Sequence, residues 1–174
     1  MKTIYIVRHC SATGQASDAE LSELGHQQST ELASFFENVL VEQIISSPFL
    51  RAQHSIAPTA ESKNLSIILD DRLSERTLST TDLPDWLEIL EKTFEDMDFK
   101  LDGGESSQEA MTRAIEVVKA APNNSILVTH GNLMSLLLKH YDDSFGFTEW
   151  KSLSNPDVYK LMIGEQESSI SRLW

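Results

Sequence analysis

The chain is 174 residues long, with 40% hydrophobic and 24% charged residues, which predicts a single globular domain over residues 1–174. Its 14 basic and 27 acidic side chains give a net charge of −13, which argues against nucleic acid or an anionic membrane as a partner. The single cysteine excludes an intramolecular disulfide, and the first apolar run is too short for a secretion signal or a membrane span. We therefore expect a soluble cytoplasmic protein.

The first half of the chain predicts alternating strands and helices. β-Branched runs predict strands over residues 3–8, 43–46 and 66–69. Ser22 is placed to cap a helix that runs to about Val39, with apolar side chains at helical spacing. Ser47 followed by Pro48 predicts the N-cap and first position of a second helix, and Asn64 allows that helix to stop.

The second half continues the alternation. A helix is expected to start at Asp82, and Ser106 with Glu109 forms the sequence pattern of a capping box before another helix. The remaining predicted elements are a strand over 125–129, a helix over about 132–140, and a closing hairpin over 158–163 and 170–173. This order predicts an α/β fold, a three-layer α/β/α sandwich with a mostly parallel, doubly wound sheet and the C-terminal hairpin at its edge.

Two of the predicted strands end in a histidine. Arg8 and His9 follow the first strand, and His130 with Gly131 follows the strand over 125–129. Because the carboxyl ends of parallel strands open into one crevice, these distant residues can converge on one ligand. A neutral imidazole can attack phosphorus, and a main-chain hydrogen bond to its other nitrogen would select the reactive tautomer.

A third motif, Ser46-Ser47-Pro48-Phe49-Leu50-Arg51-Ala52, places an arginine near a helix start. The guanidinium groups of Arg51 and Arg8 can clamp a phosphate, and a protonated or hydrogen-bond-donating His130 can stabilise the charge on its oxygens. Each motif alone is compatible with an ordinary strand end, surface arginine or structural histidine. Their combination favours a phosphate site.

The motifs together resemble the histidine phosphatase superfamily, in its phosphoglycerate-mutase-like branch, over nearly the whole chain. The matching segments, in order, are Arg8-His9-Cys10, Leu21 to Gln28 (Leu-Ser-x-x-Gly-x-x-Gln), Ser46 to Ala52, Leu73-Ser74-Glu75, Gly104-Glu105-Ser106 and His130-Gly131-Asn132. The resemblance implies that His9 is the phosphorylated nucleophile. It also implies that Arg8, Arg51 and His130 form the phosphate pocket and that Glu75 is the general acid.

A carboxyl group in a partly closed cleft is a suitable proton donor, so Glu75 needs some burial, and Glu105 is the reserve candidate. Since two arginines and two histidines can neutralise a phosphoryl group, we expect no metal and no cofactor. The chain departs from the family pattern at Cys10, where glycine is usual, and at Gln15, where asparagine is usual, although the amide of Gln15 can still donate to phosphate. Cys10 is a poor nucleophile candidate, because a cysteine phosphatase loop would need arginine at the position of Ala16.

These features predict a phosphomonoesterase that hydrolyses a small phosphorylated metabolite through a phosphohistidine. The alternatives are a catalytically weak phosphate-binding regulatory module, suggested by the atypical loop over 10–15, a phosphoglycerate mutase-type phosphoryl transferase, and a protein phosphatase. Specificity is expected to come from residues 77–102 and 141–157, where the tryptophans form no readable ligand pattern. The sequence does not indicate the oligomeric state.

Overall fold

The computed structural model describes residues 1–174 and has a six-stranded sheet between two layers of helices. The strands are β1 (Lys2–Arg8), β2 (Gln43–Ser46), β3 (Ile67–Leu69), β4 (Ser125–Thr129), β5 (Asp157–Ile163) and β6 (Ser168–Arg172). The helices are α1 (Glu23–Phe36), α2 (Leu50–Lys63), α3 (Trp86–Glu95), α4 (Ser107–Ala120), α5 (Gly131–Tyr141) and α6 (Phe147–Lys151). No helix combines the length and the apolar character needed to cross a membrane.

The strand order is β3-β2-β4-β1-β5-β6, with the first four strands parallel and the last two antiparallel. This confirms the mostly parallel, doubly wound sheet with a hairpin at its edge. β1 and β4 are neighbours in the sheet, but the connections that follow them run in opposite directions. The connection after β1 leads to β2 on one side, and the connection after β4 leads to β5 on the other side. In such sheets the ligand crevice lies outside the carboxyl ends of the strands at this point.

The sheet buries both of its faces, as the continuous apolar strands require. In β1, Ile4 and Ile6 pack into the cluster formed with α4 and α5, whereas Tyr5 and Val7 pack into the cluster formed with α1 and α2. The same alternation continues in β4, where Leu127 faces α4 and α5. Because successive side chains of a strand point to opposite faces, one strand anchors both helical layers and is held rigidly.

Local sequence signals located several element ends and missed others. Asn64 takes the left-handed conformation and ends α2, and the capping box of Ser106 and Glu109 begins α4, as predicted. The predicted N-cap at Ser47 is wrong, because α2 begins only at Leu50 after an extended Phe49. The predicted helix to Val39 is too long, and the five-residue helix α6 was not predicted.

Candidate active site

The ends of three parallel strands bring the two histidines together. The N–H of His9 donates to the carbonyl of Thr129 at 3.1 Å, and the N–H of Ser47 donates to the carbonyl of Val128 at 2.9 Å. These bonds continue the ladders between β1, β4 and β2 by one residue. As a result the imidazole rings of His9 and His130 lie 5.1 Å apart, centre to centre.

His9 is held as a neutral imidazole with one defined tautomer. Its Nδ1 lies 2.7 Å from the carbonyl oxygen of Cys10, which can only accept, so Nδ1 carries the proton and Nε2 carries the lone pair. Burial lowers the pKa of His9 to about 4, and the nearby Arg51 and Arg8 add to this effect. The arrangement presents an unprotonated Nε2 at neutral pH, which a nucleophilic role requires.

Arg51 contacts the histidine and fixes the neighbouring loop. Its Nε donates to Nε2 of His9 at 3.2 Å, and its Nη1 donates to the main-chain carbonyls of Gln15 and Ala16 at 3.1 and 2.9 Å. Gln15 therefore takes part through its carbonyl, while its exposed side chain lines the cleft. A buried guanidinium beside a neutral imidazole is a strong anion-binding element.

Arg8 reaches the same point from beneath the start of α5. A Cβ at Gly131 would lie 2.9 Å from Nη2 of Arg8, so only glycine lets the guanidinium pass this close to the helix. The Nε atom of Arg8 is buried and has no partner in the protein. Burial lowers the pKa of Arg8, and the carboxylates of Glu75 and Asp157 oppose that shift.

His130 is fully buried and neutral in this state. Burial lowers its pKa well below the usual value, and the proximity of His9, Arg51 and Arg8 acts in the same direction. Its Nε2 lies 2.8 Å from Oγ of Ser47, whereas its Nδ1 has no partner in the protein. Of the two forms expected from sequence, the geometry favours a neutral hydrogen-bond donor over an imidazolium.

The carboxylate of Glu75 lies at the N-terminus of α5. It accepts hydrogen bonds from the main-chain N–H groups of Arg76, Asn132 and Leu133 at 2.8, 3.1 and 2.9 Å. The side chain is partly buried and lines the same cleft as Arg8 and Arg51. The helix N-terminus thus fixes this carboxylate at the cleft, beside the two arginines.

The reserve candidate, Glu105, is engaged elsewhere. Its carboxylate pairs with Arg113 at 2.7 Å and accepts the N–H of Thr77 at 2.8 Å, and it does not line the cleft. The ion pair with Arg113 and these hydrogen bonds hold the pKa of Glu105 below its usual value despite burial. Geometry therefore favours Glu75 over Glu105 as the carboxyl group that serves the site.

Comparison with known proteins gives the family of this fold and site. The sequence model of the histidine phosphatase superfamily, branch 1, matches residues 4–173. The chain belongs to the histidine phosphatase superfamily. The probable phosphoglycerate mutase GpmB of Shigella dysenteriae serotype 1 is 28% identical over 160 residues, which cover 79% of this chain and 74% of that protein.

Solved structures share the fold of this histidine phosphatase. The mycobacterial glucosyl-3-phosphoglycerate phosphatase in complex with VO3 matches with a TM-score of 0.77 at 22% identity, covering 100% of this chain and 99% of that one. A mutant phosphoserine phosphatase from Entamoeba histolytica in complex with phosphoserine matches with a TM-score of 0.78 at 18% identity, covering 99% and 96%. Bacillus stearothermophilus YhfR matches with a TM-score of 0.79 at 20% identity, covering 98% and 95%.

The Leu-Ser-x-x-Gly-x-x-Gln segment of this histidine phosphatase supports the loop that follows His9. The hydroxyl of Ser22 donates to the carbonyl of Ser11 at 3.3 Å, and Oε1 of Gln28 accepts the N–H of Ser11 at 2.9 Å. A Cβ at Gly25 would lie only 2.0 Å from the carbonyl oxygen of Ser11. The spacing of Ser22 at the N-cap of α1 and of Gly25 and Gln28 in its first turns signals this contact, although the sequence alone did not reveal their positioning role.

One positioning residue gave no signal in the sequence. The side-chain amide of Asn155, from the connection before β5, donates to the carbonyl oxygen of His9 at 2.9 Å. Together with the Thr129 ladder bond, it holds both main-chain polar groups of His9. Asn155 is 146 residues from His9, so only the folded chain brings the two together.

Arg8, Arg51 and Glu75 line a cleft of about 890 Å³, and the buried His9 accepts from Arg51 directly behind it. Residues 77–90 and α6 supply much of its lining, including Trp86 and Trp150, so two tryptophans that showed no pattern in the sequence belong to one surface. The volume falls in the range of pockets that hold a small organic ligand. Within residues 1–174, no group of three or more His, Cys, Asp or Glu side chains is arranged to hold a metal ion.

Proposed function

We propose that this histidine phosphatase is a phosphomonoesterase that hydrolyses a small phosphorylated metabolite through a phosphohistidine at His9. The observation that carries the proposal is the state of His9: a neutral imidazole whose Nδ1 donates to a main-chain carbonyl and whose Nε2 lies 3.2 Å from Nε of Arg51. A nucleophile next to an anion-binding guanidinium is the arrangement that attack on a phosphoryl group needs.

In the first step, the lone pair of Nε2 of His9 forms the N–P bond while the ester P–O bond breaks. The leaving oxygen takes a proton from Glu75 in its protonated form, which leaves the carboxylate that the main-chain N–H groups of Arg76, Asn132 and Leu133 bind. The carbonyl of Cys10 holds the proton on Nδ1 of His9. Arg8 and Arg51 bind the phosphoryl oxygens, whose charge spreads in the transition state. A neutral His130 donates through Nδ1, the atom that has no protein partner.

In the second step, water attacks phosphorus on the side from which the leaving group departed. Glu75 takes a proton from the water as the new P–O bond forms, and the N–P bond breaks to return its electron pair to His9. Phosphate is released and both side chains regain their starting protonation. Because Arg8 and Arg51 are both placed to offset the phosphoryl charge, we propose that turnover needs no metal and continues in EDTA.

Quenching with alkaline detergent within the first turnovers tests the proposal, using a substrate labelled in its phosphoryl group, because a phosphohistidine survives base and hydrolyses in acid. We expect acid-labile, base-stable label on the wild-type protein and none on His9→Gln. His26→Gln is the matched control, because His26 is an exposed histidine on α1 outside the site. Label on the His9 variant, or saturation by phosphate without any label on the wild type, would reject the proposal. The second result would indicate a regulatory module.

A mutase-type transferase is a second candidate because several relatives, about 28% identical, carry the name probable phosphoglycerate mutase. Both reactions pass through the same phosphohistidine and differ in what accepts the phosphoryl group. Adding unlabelled 2-phosphoglycerate or 3-phosphoglycerate to the labelled protein separates them. Hydrolysis releases labelled inorganic phosphate, whereas a mutase passes the label to the added acid.

A further inference from the structure

The cleft combines cationic, polar and apolar side chains. Besides Arg8 and Arg51, its lining includes six apolar or aromatic residues together with several polar ones. The apolar and aromatic residues are Phe49, Leu78, Leu83, Trp86, Leu90 and Trp150. A cleft of about 890 Å³ is far larger than a phosphate ion, so most of it is available for the organic part of a substrate.

The aromatic side chains of the cleft form an open, preformed surface. Trp86 is 49% exposed although it is a large apolar residue, and its ring lies edge-to-face with that of Trp150 at 6.4 Å. Trp150 is supported from behind by Phe147, which stacks on it at 5.5 Å with an angle of 19° between the rings. An aromatic pair of one exposed and one half-buried tryptophan, held by a third ring, is suited to contact with a flat or apolar ligand group.

Apart from Arg8 and Arg51, the cleft lining offers no free cationic side chain that could bind a second anionic group. Besides Arg8 and Arg51, its only basic lining residue is Arg76. The Arg76 guanidinium is 5% exposed and already donates to the carbonyl of Glu105 at 2.7 and 3.1 Å and to Oγ of Ser107 at 3.3 Å. A carboxylate or second phosphate on the substrate would therefore enter the cleft without a free cationic partner.

The same region carries negative charge. Asp82 lines the cleft, is exposed and takes part in none of the ion pairs. Between residues 82 and 98 the chain has seven acidic residues and one basic residue, Lys92. Such a surface repels an additional anionic group and attracts a cationic one.

From these features we infer the substrate class: a monophosphate ester whose organic part is apolar or aromatic and either uncharged or cationic. Esters that carry a carboxylate or a second phosphate are disfavoured. The inference rests on the proposed phosphomonoesterase function and adds to it the specificity of the cleft. Trp86 and Asp82 are the specificity-determining residues.

Three benzyl esters that differ only in the substituent opposite the reacting carbon test the inference: benzyl phosphate, 4-carboxybenzyl phosphate and 4-(aminomethyl)benzyl phosphate. We expect kcat/KM to fall about tenfold when the carboxylate is added, and to be retained or raised when the amine is added. Asp82→Asn should reduce the difference in kcat/KM between the carboxylated and the aminomethylated ester. Asp82→Lys should reverse the order of these two kcat/KM values. Asp85→Asn, which removes an exposed carboxylate outside the cleft lining, is the matched control.

Trp86→Ala tests the aromatic surface. It should raise KM for benzyl phosphate about fivefold relative to glycerol 1-phosphate, whereas Leu87→Ala, at a 42% exposed neighbour outside the cleft lining, should leave this ratio unchanged. Equal or faster turnover of the carboxylated ester would overturn the inference while leaving the phosphomonoesterase proposal intact. If no ester is hydrolysed and no label forms on His9, both fail.

Discussion

The buried, neutral state of His9 makes a quantitative prediction about stability in acid. In the unfolded chain a histidine has a pKa near 6.5, whereas burial in the folded protein lowers the pKa of His9 to about 4. Between these two values the unfolded chain binds the proton and the folded protein does not. Stability is therefore fully present above about pH 6.5 and is lost as the pH falls toward 4.

The size of the effect follows from the two pKa values. His9 has a pKa of 6.5 in the unfolded chain and of about 4 in the folded protein. Because proton binding is linked to unfolding, His9 alone lowers the free energy of unfolding by about 2.5 kcal/mol between pH 7.5 and pH 4.5. This is a large share of the stability of a typical domain, about 5–15 kcal/mol. His130, whose pKa is also lowered by burial, adds a loss of the same sign.

Urea unfolding of wild type and His9→Gln at both pH values measures this contribution. The many carboxyl groups also titrate in this range, but they are common to both proteins and cancel in the comparison. We expect the wild type to lose about 2 to 3 kcal/mol more than the variant on acidification. Equal losses in the two proteins, or a His9 resonance that titrates near 6.5 by NMR, would refute the assignment of a buried neutral imidazole.

Three further predictions concern the support of the site. Ser47→Ala removes the hydroxyl 2.8 Å from Nε2 of His130, so kcat should fall about tenfold in a steady-state assay, with partial recovery in Ser47→Thr. Gly25→Ala places a Cβ 2.0 Å from the carbonyl oxygen of Ser11, so it should lower the free energy of unfolding, measured in urea, by about 2 kcal/mol or more. The control Ala33→Gly on the same helix should lower it by only about 1 kcal/mol. Cys10 is fully buried, and burial raises its pKa to about 11, so its thiol should react with Ellman's reagent only as fast as the protein unfolds; rapid reaction of the native protein would contradict this.

The architecture was predictable because its signals are local. Strands buried on both faces need continuous apolar runs, and such a run ends directly before Arg8 and again before Thr129. The left-handed stop at Asn64 and the capping box of Ser106 with Glu109 depend on residues within one helical turn. Because the carboxyl ends of parallel strands lie at the same edge of a sheet, the two strands that precede His9 and His130 were expected to bring these residues together.

Other parts of the site could not be predicted because a tertiary contact overrides a local preference. Ser47 before Pro48 has the pattern of a helix cap, but its hydroxyl instead accepts the N–H of Phe49 and contacts His130, which lies 83 residues away. The pairing of Trp86 with Trp150 likewise joins two helices distant in sequence. Neither tryptophan shows a repeat or spacing from which the pairing could be inferred.

The presence of Cys10 beside His9, where the family pattern has glycine, has a physical explanation in the main chain. The carbonyl of Cys10 accepts from Nδ1 of His9, and its N–H donates to Oγ of Ser55 at 2.7 Å, so both groups act independently of the side chain. The thiol points into the core between α1 and α2. The hydroxyl of Ser55 donates to the carbonyl of Arg51 at 2.6 Å and so links the end of β1 to the helix that carries the Arg51 guanidinium. The orientation of His9 therefore depends on the backbone at this position, and a small apolar side chain at residue 10 is compatible with the proposed nucleophile.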